Sequence, residues 1–173
     1  MAIKRYFLES TVWHNDAQKG LSYLGAYQDT GGRPRIVEQL AAELQDSFGF
    51  GKLNQVWAYR NIFGTEAVGI HADFSQINVN IWITPEKYCK NDRGGLMIYQ
   101  KRAPSDWPFE RYNGDASSIA EYLDGALCDR ISYRENRAII FDSSLFHGSD
   151  CCDFEDCYEG LRTNLTLLFG TRA

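Results

Sequence analysis

The feature that most constrains the fold is a series of short apolar runs that fills the last two-thirds of the chain. LNQVWAYRNIF, INVNIWIT, GGLMIYQ, RAIIFDSSLF and RTNLTLLFG all lie beyond residue 52 and are rich in β-branched and aromatic residues. Such residues fit a pleated, half-buried surface. Pro85, Gly94, Gly95, Gly148 and Gly170 punctuate the runs as turn residues. Strands without helices alternating between them point to a sandwich, barrel or jelly roll rather than a parallel α/β sheet.

One helix is legible. Ile36, Leu40, Leu44 and Phe48 fall four apart, with Val37 and Ala41 beside them, and make a single apolar stripe. Pro34 before it and Gly49 after it mark its ends. This predicts a helix over Arg35–Phe48 packed against one sheet. The stretch 101–136 reads as a longer insertion with Pro104, Trp107 and a short helix over 117–127. There is no internal repeat, low-complexity segment or linker. The expectation is therefore one domain over 1–173, with a β core at about 53–171 and helical and strand support in 1–52.

Charge narrows the partners. The net charge is −5 with no block of like sign, so the basic face that a nucleic-acid binder presents is missing. The opening MAIKRYFLES has no apolar segment of signal-peptide type. No apolar run approaches the ~20 residues needed to cross a bilayer. A cytoplasmic protein is expected. Cys89, Cys128, Cys151, Cys152 and Cys157 form an odd set without the paired spacing of a zinc site. They are expected to be reduced thiols.

The chain has three histidines, His14, His71 and His147. His71 and Asp73 are two apart, which on a strand places both side chains on one face. Taken alone, the triplet reads as a satisfied surface pair. His147 changes the weighing: it follows the apolar run 137–141, at the expected end of a strand, and Arg162 stands 15 residues later at the start of another. Two imidazoles and one carboxylate form the facial triad of non-haem iron sites, which keeps positions open for co-substrate and O2. Structural zinc sites are closed by four protein ligands. His14 lies far upstream and is expected to be an ordinary histidine.

Alternation places Arg162, Asn164 and Thr166 on one face of the last run, and Asn78, Asn80 and Trp82 on one face of another. These polar faces meet solvent or line a barrel interior. In an interior they need a polar ligand, and a buried guanidinium there needs an anion.

His71-x-Asp73, His147 and Arg162, in that order and spacing, resemble the signature of the 2-oxoglutarate/Fe(II)-dependent dioxygenases. The runs GGLMIYQ and RTNLTLLFG fit the same superfamily. VWAYRNIFGTEAVGIHADFSQINVNIWITP and NRAIIFDSSLFHGSD are similar to uncharacterised bacterial members, and the likeness covers about 53–171. It implies a mainly β, cupin-like jelly roll, the double-stranded β-helix, with a few flanking helices. It further implies Fe(II) on His71, Asp73 and His147, and 2-oxoglutarate held through its distal carboxylate by Arg162. Asn164 stands where several relatives carry a hydroxyl residue. Tyr59 is a candidate donor to the co-substrate, and Asn78 and Asn80 are candidates for the pocket wall; packing roles serve these residues equally well. The implied reaction uses O2 to decarboxylate 2-oxoglutarate to succinate and CO2 while hydroxylating a substrate. Asp73 stands where related halogenases have a small residue. Trp82 and Phe141 are candidates for a dry wall.

Two other readings stay open: a cupin-type dioxygenase without 2-oxoglutarate, and a jelly-roll binding module with a vestigial site. The substrate, small molecule or macromolecule, is not legible. Trp107, Phe109, Arg111 and Tyr112 form either a lid or a loop packed by its own aromatics. With eleven residues after Arg162, the expectation is an open mouth for a large substrate or a homodimer that completes the site.

Overall fold

The structure is a computed structural model that describes residues 2–15, 23–62, 68–91, 93–151 and 153–172. Among the described residues, nine strands form two antiparallel sheets. They are β1 (His14–Asn15), β2 (Tyr23–Tyr27), β3 (Leu53–Asn61), β4 (Ser75–Trp82), β5 (Leu96–Arg102), β6 (Cys128–Ile131), β7 (Ala138–Asp142), β8 (Leu145–Ser149) and β9 (Thr163–Thr171). The larger sheet runs β1-β2-β3-β9-β4-β7 and the smaller β6-β5-β8. Four α-helices flank them: α1 (Ala2–Glu9), α2 (Arg35–Phe48), α3 (Phe109–Gly114) and α4 (Ala116–Tyr122). None of the described helices is long and apolar enough to cross a membrane.

The centre of the larger sheet is buried on both faces. Val56 and Ala58 of β3, Val79 and Ile81 of β4, and Leu165, Leu167 and Phe169 of β9 point to one side. There they meet Phe7 of α1 and Val37 and Ala41 of α2. Helix α2 has the predicted bounds, with Pro34 extended ahead of it and Gly49 left-handed after it (φ 68°), a conformation that suits glycine. Its stripe holds as far as Leu44; Phe48 leaves the core and stacks on Phe50 at 5.3 Å.

Several runs are shorter or differently divided than their sequence suggests. RAIIFDSSLF is two strands, because the chain turns at Ser143–Ser144, where Asp142 accepts from the Ser144 N–H (2.9 Å) and hydroxyl (2.6 Å). His147 therefore lies inside β8, not at a strand end. Gly148 and Gly170 are strand residues rather than turns. At Gly148 the reason is close approach, since a Cβ would come within 3.3 Å of the Gly69–Ile70 backbone. Phe63, at the end of the first run, lies outside the described residues.

The insertion 101–136 holds more structure than the single helix predicted. Helix α4 starts at Ala116, with the Asp115 side chain accepting from Ser118 N–H (3.1 Å). It stops at Tyr122, ahead of Gly125 at φ 67°. Helix α3 precedes it and β6 follows.

Candidate metal centre and pocket

The pocket-facing side of the larger sheet carries the polar residues that alternation singled out. Strand register places Tyr59, Asn164 and Trp82 side by side across β3, β9 and β4. The neighbouring rung is Trp57, Thr166 and Asn80. From the smaller sheet, β8 brings His147 and β5 brings Leu96. A pocket partly open to solvent lies between the sheets, lined by Trp57, Tyr59, Asn78, Asn80, Asn164 and Thr166 together with His71, Asp73 and His147.

The triad is assembled by backbone pairing. His71 and His147 exchange both backbone hydrogen bonds, at 2.9 and 2.8 Å. The pairing brings their rings to 4.5 Å between centroids. Asp73 N–H donates to Ser143 O (2.9 Å), fixing the third ligand on the turn between β7 and β8. The ligand atoms of all three lie within 4.8 Å of one another. Nε2 of His71 is 3.8 Å and Nε2 of His147 is 3.5 Å from Asp73 oxygens.

The tautomers follow from the other ring nitrogens. Nδ1 of His71 lies 2.8 Å from Gly69 O, and Nδ1 of His147 lies 2.9 Å from Leu145 O. A carbonyl only accepts, so each Nδ1 carries its hydrogen, and in the neutral ring that a metal needs the lone pair is on Nε2, the nitrogen that faces Asp73. Burial pushes the His71 pKa down, and the neighbouring His147 pushes it further. Burial works against the Asp73 carboxylate, but hydrogen bonds from His147 and Asn78 and the charges of both histidines hold its pKa below the usual range. Asn78 Nδ2 donates to Asp73 Oδ2 at 2.8 Å. Two lone pairs and an anion converging in a buried space call for a cation. An ion ~2.1 Å from each donor needs donors ~3–3.5 Å apart, close to the two separations from Asp73. The donor set thus fits a divalent transition metal with positions open toward the cavity. His14 is exposed and outside this group.

Thr166 Oγ1 accepts from Asn80 Nδ2 (3.0 Å) and Asn164 Nδ2 (3.2 Å). Both its lone pairs are used, so its own hydrogen is left to donate. Asn78 Oδ1 and Asn80 Oδ1 are buried without a partner among the described residues. Residues of the pocket wall thus keep one hydroxyl hydrogen and two amide oxygens without a partner among the described residues. Tyr59 lies in the same wall; burial, with Tyr23 and Tyr27 beside it, raises its pKa far above the ordinary value. It is a neutral phenol.

Arg162 is fully buried beside the cavity rather than in its wall. Nε donates to Gly94 O at 2.6 Å, one terminal nitrogen to Gly95 O at 3.4 Å and the other to Asn164 Oδ1 at 3.2 Å. These partners are neutral, and the guanidinium has N–H groups to spare. Trp82 is also fully buried, with Nε1 unpartnered among the described residues. Its ring stacks on Tyr133 at 5.2 Å, in a cluster that includes Phe141. Phe141 in turn meets the His147 ring edge-on at 4.8 Å. Both dry-wall candidates thus pack behind the site. Thr166, Trp57 and Ser149 line the pocket although the sequence did not single them out as ligand contacts. Spacing held the clue for the first two: Trp57 is two from Tyr59, and Thr166 two from Asn164.

Solved structures with this architecture are numerous. HygX from Streptomyces hygroscopicus, with nickel and 2-oxoglutarate bound, is similar over 98% of this chain and 78% of its own, at TM-score 0.58 and 12% identity. An oxidoreductase of the 2OG-Fe(II) oxygenase family from Burkholderia pseudomallei is similar over 98% and 76%, at TM-score 0.53 and 14% identity. The fold is that of the 2-oxoglutarate and iron(II) oxygenases. EctD from S. alaskensis, with 2-oxoglutarate and 5-hydroxyectoine, shares the oxygenase fold over 98% of this chain and 66% of its own, at TM-score 0.56 and 14% identity. No family model and no curated protein sequence matches the chain. The four described cysteines are free thiols; Cys152 lies outside the described residues.

Proposed function

We propose that this chain is an iron(II)- and 2-oxoglutarate-dependent hydroxylase. The observation that carries the reading is the buried triad of His71, Asp73 and His147, with both Nε2 atoms facing the carboxylate at a pocket between the sheets. Iron(II) held there would supply O2 activation coupled to decarboxylation of 2-oxoglutarate.

The protein's own part is binding, orientation and exclusion of water. Arg162, with neutral partners alone, is suited to the distal carboxylate of 2-oxoglutarate once Asn164 or the loop carbonyls yield part of its fork. Asn164 holds the guanidinium rather than standing in for a hydroxyl residue. Thr166 offers its forced donor, and Tyr59 a phenol that stays protonated. Asn78 orients Asp73, and Asp73 itself occupies the position that a halide would need, which favours hydroxylation. Apart from Asp73 the cavity wall carries no carboxylate, lysine or arginine among the described residues. That supports a neutral organic substrate, seated against Trp57, Val68 and Ser149.

The test is calorimetric titration of 2-oxoglutarate into Mn(II)-loaded protein without oxygen. Wild type is expected to bind, and Arg162→Ala to bind ~10–100-fold more weakly, the worth of a charge-assisted bond to a carboxylate. Equal affinity in the two proteins would remove Arg162 from the site. Metal binding with no 2-oxoglutarate binding in wild type would move the cupin-type reading ahead.

A further inference from the structure

Between the two metal ligands of the His71–Asp73 turn stands Ala72, which is fully buried. Its side chain points away from the triad into a cluster with Tyr112, Ile119, Leu123 and Phe146. Phe146 is the residue before the third ligand, His147, and is itself fully buried. The residues just behind both metal-binding segments are therefore packed against helices α3 and α4.

The contact is polar as well as apolar. Ala72 N–H donates to Tyr112 O at 3.0 Å. Asn113 Nδ2 donates to Ala72 O, also at 3.0 Å. Both backbone groups of the residue separating His71 from Asp73 are thus held by adjacent residues of α3. The exposed side of the insertion is closed by its own aromatics. Trp107 packs on Tyr122 (5.1 Å) and Phe146 (6.3 Å), and Arg111 lies over the Trp107 ring at 4.0 Å. The turn between β7 and β8, to which Asp73 N–H is bonded, is also tied, since Ala103 N–H donates to Ser144 O at 2.8 Å. None of the cavity-lining residues comes from 101–136.

We propose that the 101–136 insertion is a brace behind the metal centre, and that Asn113 is a positioning residue for the His71–Asp73 turn. The peptides on either side of Ala72 are each bonded to the short helix, so neither can rotate without breaking a hydrogen bond, and His71 and Asp73 keep their common aim. Such outer partners commonly change metal affinity ~10–100-fold when removed. The inference rests on the metal-binding half of the proposed function and on no property of 2-oxoglutarate or substrate.

The experiment is Mn(II) titration of the metal-free protein by calorimetry, for wild type, Asn113→Ala and Ile119→Val. Thermal stability of each metal-free protein and amide exchange at Ala72 are measured alongside. Ile119→Val trims the same apolar cluster without touching the Ala72 peptide and serves as the packing control. Asn113→Ala is expected to weaken Mn(II) ~10-fold and speed exchange at Ala72, while melting no lower than Ile119→Val. Ile119→Val is expected to bind Mn(II) as wild type does. If Asn113→Ala keeps wild-type affinity, or if both variants lose affinity in step with their stability, the brace acts only through packing and the inference fails. If wild type binds no Mn(II), the metal-centre reading fails, and this inference with it.

Discussion

At the scale of single residues, the candidate site was legible wherever a side chain's chemistry is unusual for its surroundings. His71, Asp73 and His147 converge because two short segments pair through backbone hydrogen bonds, and only the order of residue types hinted at that. Asn78, Asn80 and Asn164 were placed by alternation, and all three line the pocket. What alternation cannot give is which partner each amide chooses. Asn164 binds Arg162 and Thr166, a network set by register across β9 and β4. Trp82 shows the same limit: the sequence suggests an apolar wall, whereas its buried Nε1 lacks a partner. An unpaired buried donor costs stability of order 1–3 kcal/mol. Trp82→Phe keeps the stacking on Tyr133 and removes the donor, so the ligand-free protein should melt no lower than wild type. If the indole serves a ligand acceptor near Arg162, 2-oxoglutarate should bind ~5-fold more weakly to the metal-loaded variant, about one neutral hydrogen bond. Paired melting curves and calorimetry read both effects. A lower melting point with unchanged 2-oxoglutarate affinity would assign Trp82 to packing alone.

At the scale of elements, the strands were legible because β-branched and aromatic runs mark them, and helix α2 because its stripe and both ends are written locally. The short pieces were not. Helix α3 and strand β6 owe their form to tertiary contacts, and β2 lies in a stretch whose runs are too brief for a clear period. The division of RAIIFDSSLF depends on the Asp142–Ser144 turn, an electrostatic feature that an apolar pattern hides. Asp150, just past β8, clamps the smaller sheet. Arg93 approaches its carboxylate at 2.7 and 3.3 Å, and Arg130 at 2.9 Å. The hydrogen bond from Arg93 is the main cause of its lowered pKa, with the Cys151 N–H and the Arg93 and Arg130 charges adding to it against burial. A carboxylate with a depressed folded pKa gives stability that is complete above its unfolded pKa and is lost as pH falls through the folded one. Asp150→Asn should therefore cost about 1 kcal/mol at neutral pH, discounted because both arginines are half exposed. The cost should vanish on the acid side of the carboxylate range. Denaturant melts of both proteins across that range check it; a penalty that persists in acid would mean the side chain acts by shape rather than charge.

At the scale of the molecule, the two sheets divide the labour. The outer face of the larger sheet is covered by α1 and α2 and supplies the apolar core. Its inner face and the smaller sheet enclose the cavity, while the 101–136 insertion sits behind the triad. That layout explains why the fold could be read from the last two-thirds of the chain while the substrate could not. The fold is encoded in runs of β-branched and aromatic residues, whereas the pocket wall is made of individual residues such as Trp57, Val68 and Ser149, which no run singles out. In the proposed function this arrangement couples 2-oxoglutarate to O2 at iron. The direct measurement is succinate formed when Fe(II)-loaded protein meets 2-oxoglutarate and O2, with Asp73→Ala as control. Succinate at least stoichiometric with iron is expected, dependent on both Fe(II) and O2 and absent in Asp73→Ala. Iron-loaded wild type that leaves 2-oxoglutarate intact, or succinate that forms equally well without iron, would contradict it.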